Sequence, residues 1–461
     1  MNIIVDRQGA LARGLAGIRT QFGIPETFPP DVLAAAEAAS TRSTEGRADW
    51  TNRPFATLDP LSSTDLDQAF AIERAGADLL LHYAIADVAF FVGSGGPIDT
   101  EAWTRGTTIY LPDGKASLYP PVLSQGAASL LPNVERPAVV FTIKVDPEGC
   151  SSLAGAVRAV IQSRAKLGYE SVTPDQLPEG VADLSSRIER AEDARGAERV
   201  DAPEQEVTED SGGHFVLAFR PQAAAEKQNA SLSLAANLAI ADALLAHRTG
   251  LFRVMAQPDA WAIRRLRHSA KALGLDWPKD ATLAQFERTL DDRNPRHVAF
   301  RSAIRRAGPN ATYAPYRDGL VPWHSAMAAT YAHATAPLRR LADRYVIEAA
   351  LQIANGQAVS AELGAIFEQL PPVMERAETR AAQIGRATLD LAEAIMLEGM
   401  EGTRFEAVVT DLDERGARIQ LADPAVIARV DAKGAVPGDR IEVELVSADV
   451  AQRRIAFERV G

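Results

Sequence analysis

The spacing of apolar residues changes along this chain, and each change marks a different kind of structure. Residues 9 to 22 put Leu11, Leu15, Ile18 and Phe22 on one helical face. Gly23 supplies a stop, and Pro29 with Pro30 opens a second helix through Val32, Leu33 and Ala36. The stretch TRSTEGR, Thr41 to Arg47, reads as a linker. The period then shortens. FATLD, QAFAIE and LLLHYAIADVAFFV are strand-like, the last two split by a glycine-containing turn at Ala75 to Ala77, and strands continue to about Ile161. Ala223 to Met400 is mainly helical. The tail returns to short alternating segments, RFEAVVTDL, ARIQLA, AVIARVDA, DRIEVELVSAD and RRIAFERV, a pattern for a small five-stranded barrel. The expectation is an α+β protein in three parts: a helical module over residues 1–45, a β-sheet core wrapped by helices over 46–400, and a β-barrel over 401–461. For the first part both a helix-turn-helix and plain helix packing stay open.

At 461 residues with 46% hydrophobic content, the chain can bury a large core. Its first residues, MNIIVDRQGALARG, hold too short an apolar run for a secretory leader, and no segment reads as long enough to cross a bilayer. The single cysteine, Cys150, cannot form an internal disulfide, suits a reducing cytoplasm, and is expected as a small buried hydrophobe. A net charge of −12 argues against non-specific coating of nucleic acid, but it is compatible with an enzyme whose basic channel is local.

The segment TLDPLSSTDLDQAF, residues 57 to 70, crowds Asp59, Asp65 and Asp67 just after an apolar strand. In extended chain Asp65 and Asp67 point the same way and Leu66 points to the core. Three adjacent carboxylates repel one another unless a cation sits among them, and hard oxygen ligands suit magnesium or manganese better than zinc. A solvated acidic turn would explain Asp-x-Asp taken alone. In YAHATAPLRRLADRYVIEAAL, residues 331 to 351, Leu338, Leu341 and Tyr345 share a helical face, with Thr335 as cap and Pro337 in the first turn. Arg339 and Arg340 then fall in the first turn, a poor place for cations unless an anion such as a phosphate completes the site, and Asp343 is spaced to hold Arg339. A screened surface pair is the plain alternative. In TRGTTIYLP, Tyr110 sits on a strand before a Pro-Asp-Gly turn, placed either to stack on a base or to fill core.

Together these stretches resemble the catalytic domain of the ribonuclease II family. The family's T-I-D-P-x-x-x-x-D-x-D-D segment stands here as Thr57-Leu58-Asp59-Pro60 and Asp65-Leu66-Asp67-Gln68. Its I-A-D-V strand is Ile85-Ala86-Asp87-Val88, and its R-G-T-x-x-Y-L-P is Arg105-Gly106-Thr107 with Tyr110-Leu111-Pro112. Its L-S-x-x-x-x-S-L-x-P-x-x-x-R stretch matches Leu123-Ser124, Ser129-Leu130, Pro132 and Arg136. Its late Y-x-x-x-T-S-P-I-R-R-Y-x-D signature is similar to Tyr331, Thr335, Pro337, Leu338, Arg339, Arg340 and Asp343. The match runs in order from about Arg47 to Gly402, and the tail looks like the family's S1-type OB-fold.

The resemblance implies hydrolytic degradation of RNA from its 3′ end to nucleoside 5′-monophosphates. It also implies Asp59, Asp65 and Asp67 as metal ligands, Arg339 on the scissile phosphate, Arg340 beside the RNA, and Tyr110 stacked on the terminal nucleotide. Gln68 stands where the family has a fourth aspartate; its amide oxygen is still a ligand, with weaker magnesium affinity or a manganese preference expected. Aligning the family's Ala-Asn with Ala236-Asn237 leaves Ala230 and Ser231 where it often has a Glu-Glu pair, and Trp323-His324 lies near its His-Phe. The two cold-shock barrels that precede this domain in the family do not fit in 45 residues, so a wider entrance and easier entry of paired RNA are expected. The tail carries 12 Asp/Glu against 9 Lys/Arg, with Phe405 and Phe457 as its only aromatics, which argues against strong base stacking there. A weakly catalytic RNA clamp and a metal-dependent endonuclease are the alternatives.

Overall fold

The computed structural model describes residue 4 and residues 9–197, 204–209, 214–220, 222–291, 294–308, 310–413, 416–421, 423–432 and 434–460. Helix α1 (Ala10–Phe22) ends at Gly23 in the left-handed conformation, and α2 (Pro30–Ser40) starts on its proline. Both helices form where the pattern places them, but they serve different cores. The buried face of α1 joins the cluster shared with the tail, whereas Val32, Ala36 and Ala39 of α2 join the main core; Leu33 is exposed.

Strands β1 (Ala48–Asp49), β2 (Phe55–Asp59), β3 (Gln68–Ala75) and β4 (Asp78–Ala86) follow. The β3–β4 hairpin turns at Gly76 and Ala77, as the sequence implies. Asp87 then caps the short α3 (Val88–Phe91), and α4 (Pro97–Arg105) leads into a small hairpin, β5 (Ile109–Leu111) and β6 (Gly114–Ala116). Long strands β7 (Glu135–Val145) and β8 (Ser151–Gly168) complete the sheet, and β8 runs past the expected end at Ile161. Its first part pairs antiparallel with β7 and its last residues pair parallel with β2, so the order β8-β2-β3-β4-β7 closes back on β8. Cys150 is exposed rather than buried, because it belongs to the β7–β8 turn, where its N–H bonds Asp146 Oδ1, and not to a core-facing strand position.

Helix α5 (Val181–Arg195), a hairpin of β9 (Glu204–Glu209) and β10 (Phe215–Arg220), and α6 (Ala224–Ala246) come next. By length and composition α6 is apolar enough to span a membrane, which corrects the sequence expectation. In the fold it lies across β8, β7 and β2, and Leu232, Ala236, Ile240 and Leu244 are fully buried, so its apolar character is that of a core helix. After β11 (Leu251–Val254), helices α7 (Ala260–Ala272), α8 (Leu283–Glu287) and α9 (Pro295–Ala307) enclose a separate cluster around Trp277, Phe286 and Phe300. Strand β12 (Thr312–Pro315) returns to pair with β11, and the short β13 (Trp323–His324) and β14 (Ala329–Thr330) pair with each other.

Helix α10 (Leu341–Ala354) packs on the sheet, and the 37-residue α11 (Ala361–Leu397) joins the two main cores. Its first half contributes Leu363, Phe367 and Met374 to one and its second half Ile384, Leu391 and Ile395 to the other. The tail is the expected barrel of β15 (Arg404–Asp413), β16 (Gly416–Leu421), β17 (Ile427–Val430), β18 (Arg440–Asp449) and β19 (Arg454–Arg459), ordered β17-β16-β15-β18-β19 with β17 near β19. Phe405 and Phe457 are buried edge-to-face in its interior and offer no stacking surface.

Candidate active site

Asp59 ends β2, and Asp65 and Asp67 lie on the loop that leads into β3. That loop is pinned from several sides. Ser129 Oγ accepts from Leu66 N–H at 2.9 Å and donates to the Thr64 carbonyl at 2.8 Å; Leu130 N–H donates to the Leu66 carbonyl at 3.0 Å. Arg136 in turn bonds the Ser129 carbonyl at 3.0 Å, and Lys166 Nζ donates to the Leu61 and Ser63 carbonyls at 2.6 and 2.5 Å. The motif at residues 123 to 136 is therefore the scaffold of the acidic loop. Leu66 is fully buried, as alternation predicts.

The arginine segment arrives from the far end of the chain. Residues 339 and 340 precede α10, whose helical residues begin at Leu341 with Arg340 in extended conformation at the cap position. This corrects the expectation of two arginines in a first turn capped by Thr335. The reason is that residues 336–340 are held as a loop by Asp343 of the helix itself and by residues 106–108 from elsewhere in the chain. Asp343 accepts from Ala336 N–H at 2.8 Å and binds Arg340 Nε and Nη2 at 2.9 and 2.6 Å, so it holds Arg340 and not Arg339. The Arg339 carbonyl accepts from Thr107 Oγ1 at 2.7 Å and Thr108 N–H at 3.1 Å, and Leu341 N–H reaches the Gly106 carbonyl at 3.1 Å. Asn237 Oδ1 accepts from Ala334 N–H at 2.9 Å on the other side. Gly106 has φ +70°, and a Cβ there would lie 2.6 Å from Ala377 of α11, so this junction needs glycine on both counts.

The two segments meet. Leu338 N–H donates to Asp67 Oδ1 at 2.7 Å, and Arg339 Nε lies 3.4 Å from Asp67 Oδ2. Asp67 is buried while the Arg339 side chain is about half exposed, so the guanidinium bridges a dry carboxylate and open space. Asp59 faces the same point: its Oδ2 is buried with no hydrogen-bond partner. Burial raises both carboxyls to about 7; proximity of Asp67 adds to the rise at Asp59, and Arg339 opposes it at both. A buried, unpartnered oxygen on Asp59, with the Asp67 carboxylate near enough to raise its pKa, is chemically suited to a hard divalent cation.

Asp65 is engaged differently. Lys115 Nζ lies 2.6 Å from its Oδ1, and Tyr110 Oη donates to its Oδ2 at 3.2 Å. Among the described residues no three acidic or other ligand side chains are already gathered around one point. Tyr110 is exposed, not core, with its ring beside the acidic loop. Gln68 is buried in β3, and its Oε1 accepts from Tyr83 Oη at 2.5 Å, so a ligand role would need the oxygen's second lone pair. Lys115 and the Leu338 N–H went unread in the sequence, as did the roles of Ser129 and Asn237, which fall in stretches that resemble the family. Only Lys115 had a local signal: the two-residue Pro112-Asp113 turn puts it directly opposite Tyr110.

Residues 47–352 match the RNB domain family, and residues 403–460 match the RNase II-type exonuclease C-terminal S1 domain. The chain is 26% identical to Ribonuclease R 1 of Lactococcus lactis subsp. lactis, over 88% of this chain and 53% of that protein. It is likewise 26% identical to Ribonuclease R of Escherichia coli (strain K12), over 95% of this chain and 60% of the relative. It thus spans little more than half the length of these relatives. Among solved structures, Mycoplasma genitalium RNase R in complex with ribose-methylated single-stranded RNA superposes with TM-score 0.85 at 20% identity, covering 98% of this chain and 78% of that one. Yeast Ssd1, a pseudonuclease, superposes with TM-score 0.67 at 15% identity, covering 90% of this chain and 53% of that one. With the first match running over more than half its length, the chain belongs to the RNB domain family.

Proposed function

We propose that this protein is a hydrolytic exoribonuclease that shortens RNA from the 3′ end and releases nucleoside 5′-monophosphates. The observation that carries the reading is the meeting of Asp59 and Asp67 with Arg339 across some 270 residues of chain. A divalent ion, magnesium or manganese, would be held by Asp59 and Asp67 with Asp65 at its edge, and when bound it supplies an activated water and charge to stabilise the leaving oxygen. Arg339 is exposed enough to bind a phosphate while Asp67 keeps its guanidinium aimed, and it offsets the charge that grows on the phosphorus oxygens. Tyr110 offers a ring face to the terminal base. A reducing, cytoplasmic compartment suits the lone cysteine.

Local charge supports an RNA substrate despite the acidic whole. Residues 260–308 contain 11 Lys/Arg against 5 Asp/Glu. On α7, Trp261, Arg264, Arg265, His268 and Lys271 are exposed at helical spacing, with the Arg265 guanidinium 4.6 Å from the Trp261 ring centroid. We place backbone contacts of incoming RNA there, including partly paired RNA. Exchanging Arg264, Arg265 and Lys271 for glutamate should weaken RNA binding and flatten its dependence on log salt by about one unit for each phosphate no longer neutralised, measured by titration across salt concentrations. An unchanged slope would remove α7 from the path.

The pKa values set a further expectation. Between the ordinary 3.8 and about 7, the folded protein holds protons on Asp59 and Asp67 that the unfolded chain has released. Without metal, these groups therefore cost stability as pH rises through that window, and the cost persists above it. A cation must displace those protons, so its affinity rises with pH, by up to about a hundredfold per unit if both leave. The Tm gain on adding Mg²⁺ should be larger at about pH 8 than at about pH 6 in differential scanning fluorimetry. A gain independent of pH would contradict metal binding at this pair.

RNA labelled at either end, mixed with protein and Mg²⁺, tests the reading as a whole. An exonuclease releases labelled mononucleotide early from the 3′ label only. The occupied Gln68 amide favours one second reading, a clamp that binds RNA without cutting; it would retard the RNA and leave it intact. Internal fragments would point to an endonuclease.

A further inference from the structure

We propose that Lys115 takes the place of a second metal ion, so that this acidic site holds one divalent cation with the lysine ammonium as its fixed companion. The inference rests on the reading of the site as a metal-dependent ribonuclease centre and concerns how that centre is balanced.

Three observations carry it. Tyr110 and Lys115 are cross-strand partners in the β5–β6 hairpin, and both reach to Asp65, one to each oxygen. Asp65 thus already has a cation at 2.6 Å and a phenol at 3.2 Å. The pair is shielded: the Lys115 side chain is 18% exposed and that of Asp65 8%, so the attraction is stronger than in a surface ion pair. Asp67 faces the half-exposed Arg339 at 3.4 Å, and the unpartnered oxygen belongs to Asp59.

Counting charge reaches the same point. Asp59, Asp65 and Asp67, all ionised, are opposed by Lys115, Arg339 and the Lys166 ammonium that acts on Asp59, so the cluster carries no net negative charge, and Gln68 adds none. One divalent ion already leaves two positive charges for substrate phosphates to neutralise, and a second would double that excess. Two divalent ions about 4 Å apart repel strongly and need several uncommitted carboxylates between and around them. Here the neutral amide at Gln68 withholds one such charge and Lys115 spends another on Asp65. The ammonium is also chemically fit for the place. It has three donors, of which Asp65 uses one and Thr64 Oγ1 lies at 3.5 Å, so a donor remains for a substrate phosphate oxygen.

The test is a count of bound Mn²⁺ by electron paramagnetic resonance on the intact chain at about pH 8. The wild type, the neutral variants Lys115→Met and Lys115→Gln, and the charge-keeping Lys115→Arg are compared, each with its circular dichroism. The expected result is about one ion per chain for the wild type and Lys115→Arg, rising to about two for the neutral variants. Two ions in the wild type, or folded neutral variants that bind as the wild type does, would overturn the proposal. Hydrolysis of 3′-labelled RNA by the same preparations separates the two readings. A wild type that cuts RNA but shows no change of count on neutralising Lys115 removes only this proposal. The expected counts without any cutting would keep the charge balance and remove the exoribonuclease.

Discussion

Asp67→Asn is expected to lower RNA hydrolysis by at least about 10³-fold while RNA binding and folding survive. The asparagine is nearly isosteric, and its oxygen still accepts from Leu338 N–H, so the arginine segment keeps its anchor. What is lost is the charge that faces Asp59 and Arg339. The fold gives up little, since this buried carboxyl is raised to about 7 and its ionisation opposes stability. The variant is therefore expected to melt at or above the wild-type temperature. Single-turnover cleavage of 3′-labelled RNA beside filter binding measures both halves. Wild-type cleavage would take Asp67 out of the chemistry, and loss of folding would show that its main role is structural.

Asp343→Ala is expected to be the most destabilising single change near the site, costing about 3–5 kcal/mol. Asp343 is fully buried and serves two partners, the Ala336 N–H and the Arg340 guanidinium. Removing it leaves a largely buried cation uncompensated and frees the loop that aims Arg339. Urea unfolding should show a lower midpoint with little change in slope, and cleavage should fall more than RNA binding. Because the penalty comes from an orphaned charge, replacing both partners by apolar residues, Asp343→Leu with Arg340→Met, should recover much of the stability but not the activity. A single variant as stable as the wild type would mean that water enters to solvate Arg340.

The elements legible in the sequence are those whose cause is local. The β3–β4 turn, the glycine that ends α1, the alternating strands of the barrel and the inward direction of Leu66 follow from period and turn chemistry within a few residues. At the level of sequence only the resemblance to the ribonuclease II family joins the acidic loop to Arg339; the residues themselves suggest a cation at one and an anion at the other. Tertiary structure decided what each partner does with its neighbours. Whether Asp343 holds Arg339 or Arg340 depends on a loop kept out of the helix by Thr107, Thr108 and Asn237, which come from other parts of the chain. Cys150 and α6 were misread for the same reason, since composition reports how apolar a segment is but not what covers it. The sequence by itself offered the groups expected to carry the chemistry; only the packing of the loop before α10 on the acidic loop, which brings residue 67 against residue 338, decided which oxygen is bonded, which is left bare and which cation stands beside it. Local periodicity sets the direction of a side chain, whereas its partner is set by interactions whose free energy appears only when distant segments are packed together.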